Sequence, residues 1–495
     1  MSRFILPLAL ATTALVAGCN MAPKYHRPAL AVSATLPQGP AYAKGVDGGV
    51  AAADIGWRDF FTDPRLRQVI ELGLTNNRDL RVAAANIAQA RAEYRVARAD
   101  LLPTIAASGA AAYQRSARGL SSATTTGSTT GTDTGTTTGT GSAATTSTVT
   151  TGRDSHIFSL DLGLSSFELD LFGRVRNLSE AALQQYFATE EAQRTTRISL
   201  IAEIASAYAT MAADQDQLAL SRQTLATYKQ TLDLTRAQFE IGVSSELEVR
   251  QAQTTYEQAR YDIAAATTLI AQDQNALNLL VGTTVTPDLL PNGLGTQSVT
   301  LDGLPAGIRS DVLLRRPDVV QAEHLLMAQN ANIGAARAAF FPTISLTAAL
   351  GTLSTGLSGL FAGGSGTWSL TPNATVPLFD YGRNRGNLRY AEASRDSAVA
   401  TYEKAVQTAF REVADALAQR GTIIEQVNAR TDRAEAARVA YTLSDARYRA
   451  GVDPFLTTLD SQRTLYSAQQ DLVTTRLARV SNLVELYRSL GGGII

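Results

Sequence analysis

The sequence predicts a mixed α and β membrane protein with two tandem structural repeats. Each repeat pairs short barrel-type strands with a long helical hairpin. Three observations lead there. The chain repeats itself, it holds long stretches free of Gly and Pro, and it carries segments of alternating polarity. Those segments are long enough to cross a bilayer as tilted strands.

The repeat is legible in three places. "VARADLLPTIAAS" (Val96–Ser108) resembles "GAARAAFFPTISL" (Gly334–Leu346), and "DLFGRVRN" (Asp170–Asn177) resembles "FDYGRNRG" (Phe379–Gly386). "FEIGVSSELEVRQAQ" (Phe239–Gln253) resembles "YRAGVDPFLTTLDSQ" (Tyr448–Gln462). Gly173 and Gly242 are 69 residues apart, as are Gly382 and Gly451, so the long arms match without a gap.

The chain opens on an export signal. Arg3 gives the positive start, and Phe4–Gly18 is a short apolar run ending in small residues. The run is too short for a membrane span, and no other stretch is apolar for the roughly 18 residues a helix would need. "LVAGC" resembles the bacterial lipobox, which implies cleavage before Cys19, the one cysteine, and lipid on its thiol. An ordinary signal peptide with an incidental cysteine is the plainer alternative. Asn20 in the next position implies delivery to the outer membrane. With no apolar helix, a crossing would use strands closed into a barrel.

The predicted organisation is a signal over 1–18, a lipidated tether and equatorial segment over 19–76, a first repeat over 77–282, a linker over 283–317, a second repeat over 318–491 and a tail over 492–495. Each repeat opens with a helix, Asn77–Leu102 or Asp318–Phe341, that stops at a proline. Strands are expected over 104–113 and 156–171, then over 343–353 and 368–379. Residues 115–154 are Thr/Gly/Ser-rich and too poor in apolar side chains to bury a core, which predicts a long surface loop.

Hairpins are expected over 174–281 and 383–490. Arg174–Ile241 contains neither Gly nor Pro, which at 1.5 Å per residue allows roughly 100 Å of helix. Leu218, Ser221, Leu225, Tyr228, Leu232, Thr235 and Phe239 step alternately by three and four, a coiled-coil seam. Shifted by 209, the seam becomes Val427, Arg430, Ala434, Ala437, Tyr441, Ser444 and Tyr448. Seams this thin do not make a globular core, and four strands cannot close a pore. Association of several copies answers both needs.

Composition excludes several functions. The net charge of −1 argues against nucleic acid. The three histidines have no metal-ligand spacing, and no nucleophile–base pair or phosphate loop stands out, so neither an enzyme nor a cofactor is expected.

The motifs "AGCNMAPKYHRPA", "WRDFFTDPRLRQVIELGLTNNRDLRVAAANIAQARAEYRVARADLLP", "LRRPDVVQAEHLLMAQNANIGAARAAFFPTISL", "PLFDYGRNRG" and "YRAGVDPFLTTLDSQRTLYSAQQDL" cover much of the chain. Together they resemble the TolC family of outer membrane factors, most closely the OprM and NodT lipoprotein branch. The resemblance implies a homotrimer with a 12-stranded barrel in outer-membrane lipid, four strands from each subunit. A periplasmic helical tunnel would continue it. It also implies the exit duct of a tripartite efflux pump, with a periplasmic adaptor and an inner-membrane transporter of the RND type. A duct for type I protein secretion and a surface-anchored coiled-coil lipoprotein without a pore are the alternatives.

The resemblance further implies a periplasmic gate with an apolar ring at Leu456 and an aspartate ring at Asp460. These are one helical turn apart. Three Asp460 carboxylates around an axis would repel and could recruit a cation; the alternative is a solvated Asp in the second turn of a helix. Asp453 joins the gate region, although Asp followed by Pro454 reads first as a helix cap. Tyr448 would tether neighbouring hairpins through Glu248. Glu248 also fits a capping box with Ser245. The tips Gly242, Val243, Ser244 and Gly451, Val452 would dock the adaptor, and both glycines also suit helix ends.

Overall fold

The computed structural model describes residues 20–33, 35–42, 55–115, 154–295, 300 and 310–492. The expected signal, Cys19 and nearly all of the Thr/Gly-rich segment lie outside them. The described elements run in chain order as helices α1 (Trp57–Phe60), α2 (Pro64–Asn76) and α3 (Arg78–Ala99), strands β1 (Ile105–Arg115) and β2 (Asp154–Leu169), helices α4 (Arg174–Glu240), α5 (Glu246–Val281) and α6 (Pro317–Ala338), strands β3 (Thr343–Ser354) and β4 (Gly366–Thr375), and helices α7 (Arg383–Arg449) and α8 (Phe455–Ser489). Among the described residues no helix is long and apolar enough to cross a membrane. By contacts the chain divides into two compact units, Met1–His26 with Gln89–Tyr186 and His324–Ala398, and Arg27–Ala88 with Phe187–Glu323 and Val399–Ile495.

The first unit holds one antiparallel sheet of order β1-β2-β3-β4. Its register sorts the side chains cleanly. Ile105, Leu160, Leu162, Leu350, Trp368 and Leu370 all lie exposed, on one face by their pairing. The other face is built from small and polar residues such as Ser108, Ser159, Gly163, Ser369 and Thr371. Strand side chains alternate, so a period-two sequence yields two faces of opposite character. The register slips between Leu164 and Phe167, where Ser166 takes a positive φ of 46°. β4 stops at Thr375, short of the expected Phe379, because Pro377 cannot continue the ladder. Pro372 is accommodated within β4, which is an edge strand.

In the second unit part of the core packs α1 and α2 with the end of α8. Trp57, Phe60, Phe61, Leu66 and Ile70 are buried, and the Tyr487 ring stacks on Phe60 at 4.0 Å. The Tyr487 hydroxyl donates to the Ile55 carbonyl at 2.6 Å. Asp63 caps α2 by accepting from the Arg65 N–H, with Pro64 at the first helical position. The first predicted helix begins one residue later and ends three residues earlier than expected, at Arg78–Ala99.

The 67-residue helices α4 and α7 are each unbroken, Gly386 and Gly421 included. Their seams are buried at Leu218, Ser221, Tyr228, Leu232 and Thr235, and again at Ala434, Ala437 and Ser444. Small and hydroxylated seam residues suit helices in close approach. Ser221 and Thr235 each return a hydroxyl bond to the carbonyl four residues back.

Candidate functional site

The predicted site residues gather at the two hairpin tips. Both tips close the same way. Gly242 and Gly451 take φ of 79° and 73°. The Val243 N–H donates to the Gln238 carbonyl at 2.8 Å, and the Val452 N–H to the Arg447 carbonyl at 2.9 Å. This is the six-to-one closure that a left-handed residue permits. A Cβ at either glycine would meet open space, so the positive φ alone demands glycine. The tips are apolar and bare: Ile241, Val243 and Val452 are 75%, 73% and 62% exposed.

The turns are then secured by different chemistry. At the first tip Ser245 caps α5, accepting from the Glu248 N–H, while Glu248 accepts from the Ser245 N–H at 2.8 Å. The Ser244 hydroxyl also donates to Glu248. These donors hold the Glu248 carboxyl below the usual carboxylate range, Ser244 contributing most. At the second tip the N-cap of α8 is Pro454, with no side-chain cap. The predicted cap role of Asp453 is therefore corrected. Its carboxylate accepts from Arg447 Nε at 2.7 Å and Nη2 at 2.8 Å. Proline has no N–H to place inside the helix, and Arg447 on the preceding turn claims both oxygens. That pairing lowers the Asp453 pKa.

Tyr448 does join the hairpins, through a partner other than the expected one. Its hydroxyl donates to Gln238 Oε1 at 2.5 Å, and no Tyr448–Glu248 hydrogen bond forms. The Glu248 carboxylate is already committed to its own helix start. Burial raises the Tyr448 pKa, and the nearby Glu248 charge adds to the shift.

Beneath the tips Leu232, Val249, Ala252, Phe455 and Leu459 form a buried cluster, against which Tyr256 and Tyr448 pack. It draws on α4, α5 and α8, with α7 supplying Tyr448. Phe455 and Leu459 are 1% and 0% exposed, whereas their neighbours Leu456 (59%) and Asp460 lie exposed on the other side of α8. Leu247, the counterpart of Leu456 in the first repeat, is exposed as well.

Further polar links bind the hairpins. The Tyr466 hydroxyl donates to Asp262 Oδ2 at 2.8 Å and lies 2.9 Å from the Ser221 hydroxyl. Burial, with Asp262 adding to it, pushes the Tyr466 pKa up to about 12. Gln462 donates weakly to Thr231 and Tyr441, and Asp471 accepts from both Arg430 and Arg433. The sequence pattern does not single out Gln238, Arg447, Phe455, Tyr466 or Ile241. Of these only Tyr466 carried a visible cue, an aromatic side chain one heptad before Val473 on the last helical arm. Among the described residues, no group of three His, Cys, Asp or Glu could hold a metal ion.

The pattern that defines the outer membrane efflux protein family matches residues 69–283 and 308–492. The chain belongs to that family. The family member "toluene efflux pump outer membrane protein TtgC" of Pseudomonas putida is 46% identical over all of this chain and 96% of its own length. "Outer membrane protein OprJ" of Pseudomonas aeruginosa is 40% identical, over 98% of this chain and 95% of its own. Among solved structures, the open state of the Neisseria gonorrhoeae MtrE outer membrane channel superposes with a TM-score of 0.83 at 37% identity. It covers 96% of this chain and 99% of its own. This efflux protein is therefore an outer-membrane channel whose sheet and hairpins match solved channels.

Proposed function

We propose that the chain is the exit duct of a tripartite efflux pump, passing small molecules from a periplasmic adaptor and an inner-membrane transporter to the exterior. The observation that carries this is full-length similarity to relatives named as efflux pump outer membrane proteins. The sheet supports it independently. Four strands with one apolar face and two open edges need partners to close, and three copies give a 12-stranded barrel. Lipid on Cys19 would anchor each subunit beside that barrel.

In this reading Leu456 and Asp460 line the periplasmic constriction. Their exposure away from the hairpin cluster leaves them available to an axis. Three Asp460 carboxylates there would favour a bound cation over an empty ring. The bare tips, with Val243 and Val452 leading, would meet the adaptor, and apolar side chains left in water are suited to such a contact. Transport energy would come from the inner-membrane partner.

Single-channel recording of the purified protein in planar bilayers tests the reading. Wild type should insert as a pore, and Asp460→Ala should raise passive conductance and weaken block by divalent cations. No pore from wild type or from Leu456→Ala overturns the duct. Unchanged conductance and block in Asp460→Ala removes Asp460 from the gate. Mass spectrometry of the mature N-terminus tests the lipid.

A further inference from the structure

The polar face of the sheet carries one acid that neither the fold nor the tips explain. Asp161 stands mid-strand in β2, in a row with Ser108 of β1, Gly351 of β3 and Thr367 of β4. The flanking rows on that face hold Ala106, Gly163, Ala349 and Ser369 on one side and Ala110, Ser159 and Leu353 on the other. No cation stands at any of these neighbouring register positions to neutralise it. The opposite face is apolar, so in a lipid-embedded barrel the Asp161 face lines the lumen.

Gly351 makes the room. A Cβ there would overlap Asp161 Oδ1 and the Leu160 carbonyl, so the acid lies across the backbone of β3 in space only glycine leaves. The carboxylate is thus seated on the strand rather than waving freely in the pore. The other acid on this face, Glu168, is already paired with Arg174.

We propose that Asp161 sets the charge selectivity of the barrel, as one member of a ring of carboxylates repeated by each subunit around the lumen. This rests on the duct reading above. Like charges held at one level of a water-filled pore attract cations and repel anions. The duct would thereby favour cationic and neutral solutes at its barrel, independently of any selection at the tips.

Reversal potentials across a KCl gradient in planar bilayers test it. Wild type should be cation-selective. Asp161→Asn, which keeps shape and hydrogen bonding, should lower the K⁺/Cl⁻ permeability ratio about twofold or more, and Asp161→Lys should invert the preference. Gly351→Ser, by crowding the carboxylate, should shift the ratio in the same direction as Asp161→Asn. If Asp161→Lys fails to insert, the isosteric Asn variant decides. A conducting Asp161→Asn channel with wild-type selectivity overturns the proposal and leaves the duct standing. A wild-type protein without any pore overturns both. Asp460→Asn measured alongside separates the two rings: its effect on selectivity should add to that of Asp161→Asn, and complete loss of selectivity in Asp460→Asn alone would overturn the role of Asp161.

Discussion

Arg447 grips Asp453 by two hydrogen bonds across the Gly451 turn, Nε to Oδ2 at 2.7 Å and Nη2 to Oδ1 at 2.8 Å. At the equivalent place the first repeat has Gln238 and Ser244. One tip is therefore secured by an ion pair and the other by a neutral cap and its carboxylate. The ion pair lowers the Asp453 pKa. Its contribution is present at neutral pH and is lost as pH falls through that lowered value. The protection of the Val452 amide against hydrogen exchange, measured relative to the intrinsic rate at the same pH, should fall below the ordinary carboxylate range near pH 4, and with added salt. Asp453→Asn should show the reduced protection already at pH 7. The Val243 amide should respond to neither change.

The bond from Tyr448 to Gln238 predicts a pattern of couplings. Tyr448→Phe and Gln238→Ala should be non-additive by about 1 kcal/mol in a double-mutant cycle. Tyr448→Phe and Glu248→Gln should add within about 0.5 kcal/mol, because Glu248 serves its own helix. Ser245→Ala should cost about 1 kcal/mol through the lost cap. Denaturant unfolding of the assembled channel measures all three.

Neighbouring residues on α8 should behave oppositely. Phe455→Ala empties a buried cluster shared by the hairpins and should destabilise by about 3 kcal/mol. Leu456→Ala touches an exposed side chain and should change stability by less than about 0.5 kcal/mol. Only the conductance should report Leu456. A stability loss at Leu456 equal to that at Phe455 would contradict this arrangement.

Asp273 on α5 supplies a pH dependence of the opposite sign to Asp453. Burial first, and then the adjoining Asp214 carboxyl, raise its pKa to about 6. A folded-state value above the unfolded one stabilises below the unfolded value of 3.8, and that stability is lost as pH rises through about 6. Thermal melts should therefore weaken between about pH 4 and pH 6 by the equivalent of about 1–2 kcal/mol, screened by partial exposure. Asp273→Asn should flatten that slope and melt higher at pH 7.

Much of this was written in the chain. The shared glycines mark both tips, and the three-four spacing of Leu218 through Thr235 marks the buried seam. Alternation located the strands to within a few residues, with Pro377 ending β4 early. The side-chain partners were not legible. Asp-Pro reads as a cap until Arg447, six residues back, is seen to take both oxygens. Glu248 was equally compatible with a tether and a capping box, because a sequence lists neighbours along the chain and the choice depends on what lies across the hairpins. Phe455 and Leu456 are adjacent and similarly apolar, and only helix rotation decides which is buried.

The unpaired edges of β1 and β4 carry a consequence for how the protein comes into being. A sheet of four strands with a greasy face and two open flanks has no comfortable solitary state, either in water or in lipid. Maturation and encounter with sister chains become one event. The supply of newly exported chains, rather than intrinsic folding speed, would then govern how fast working channels accumulate.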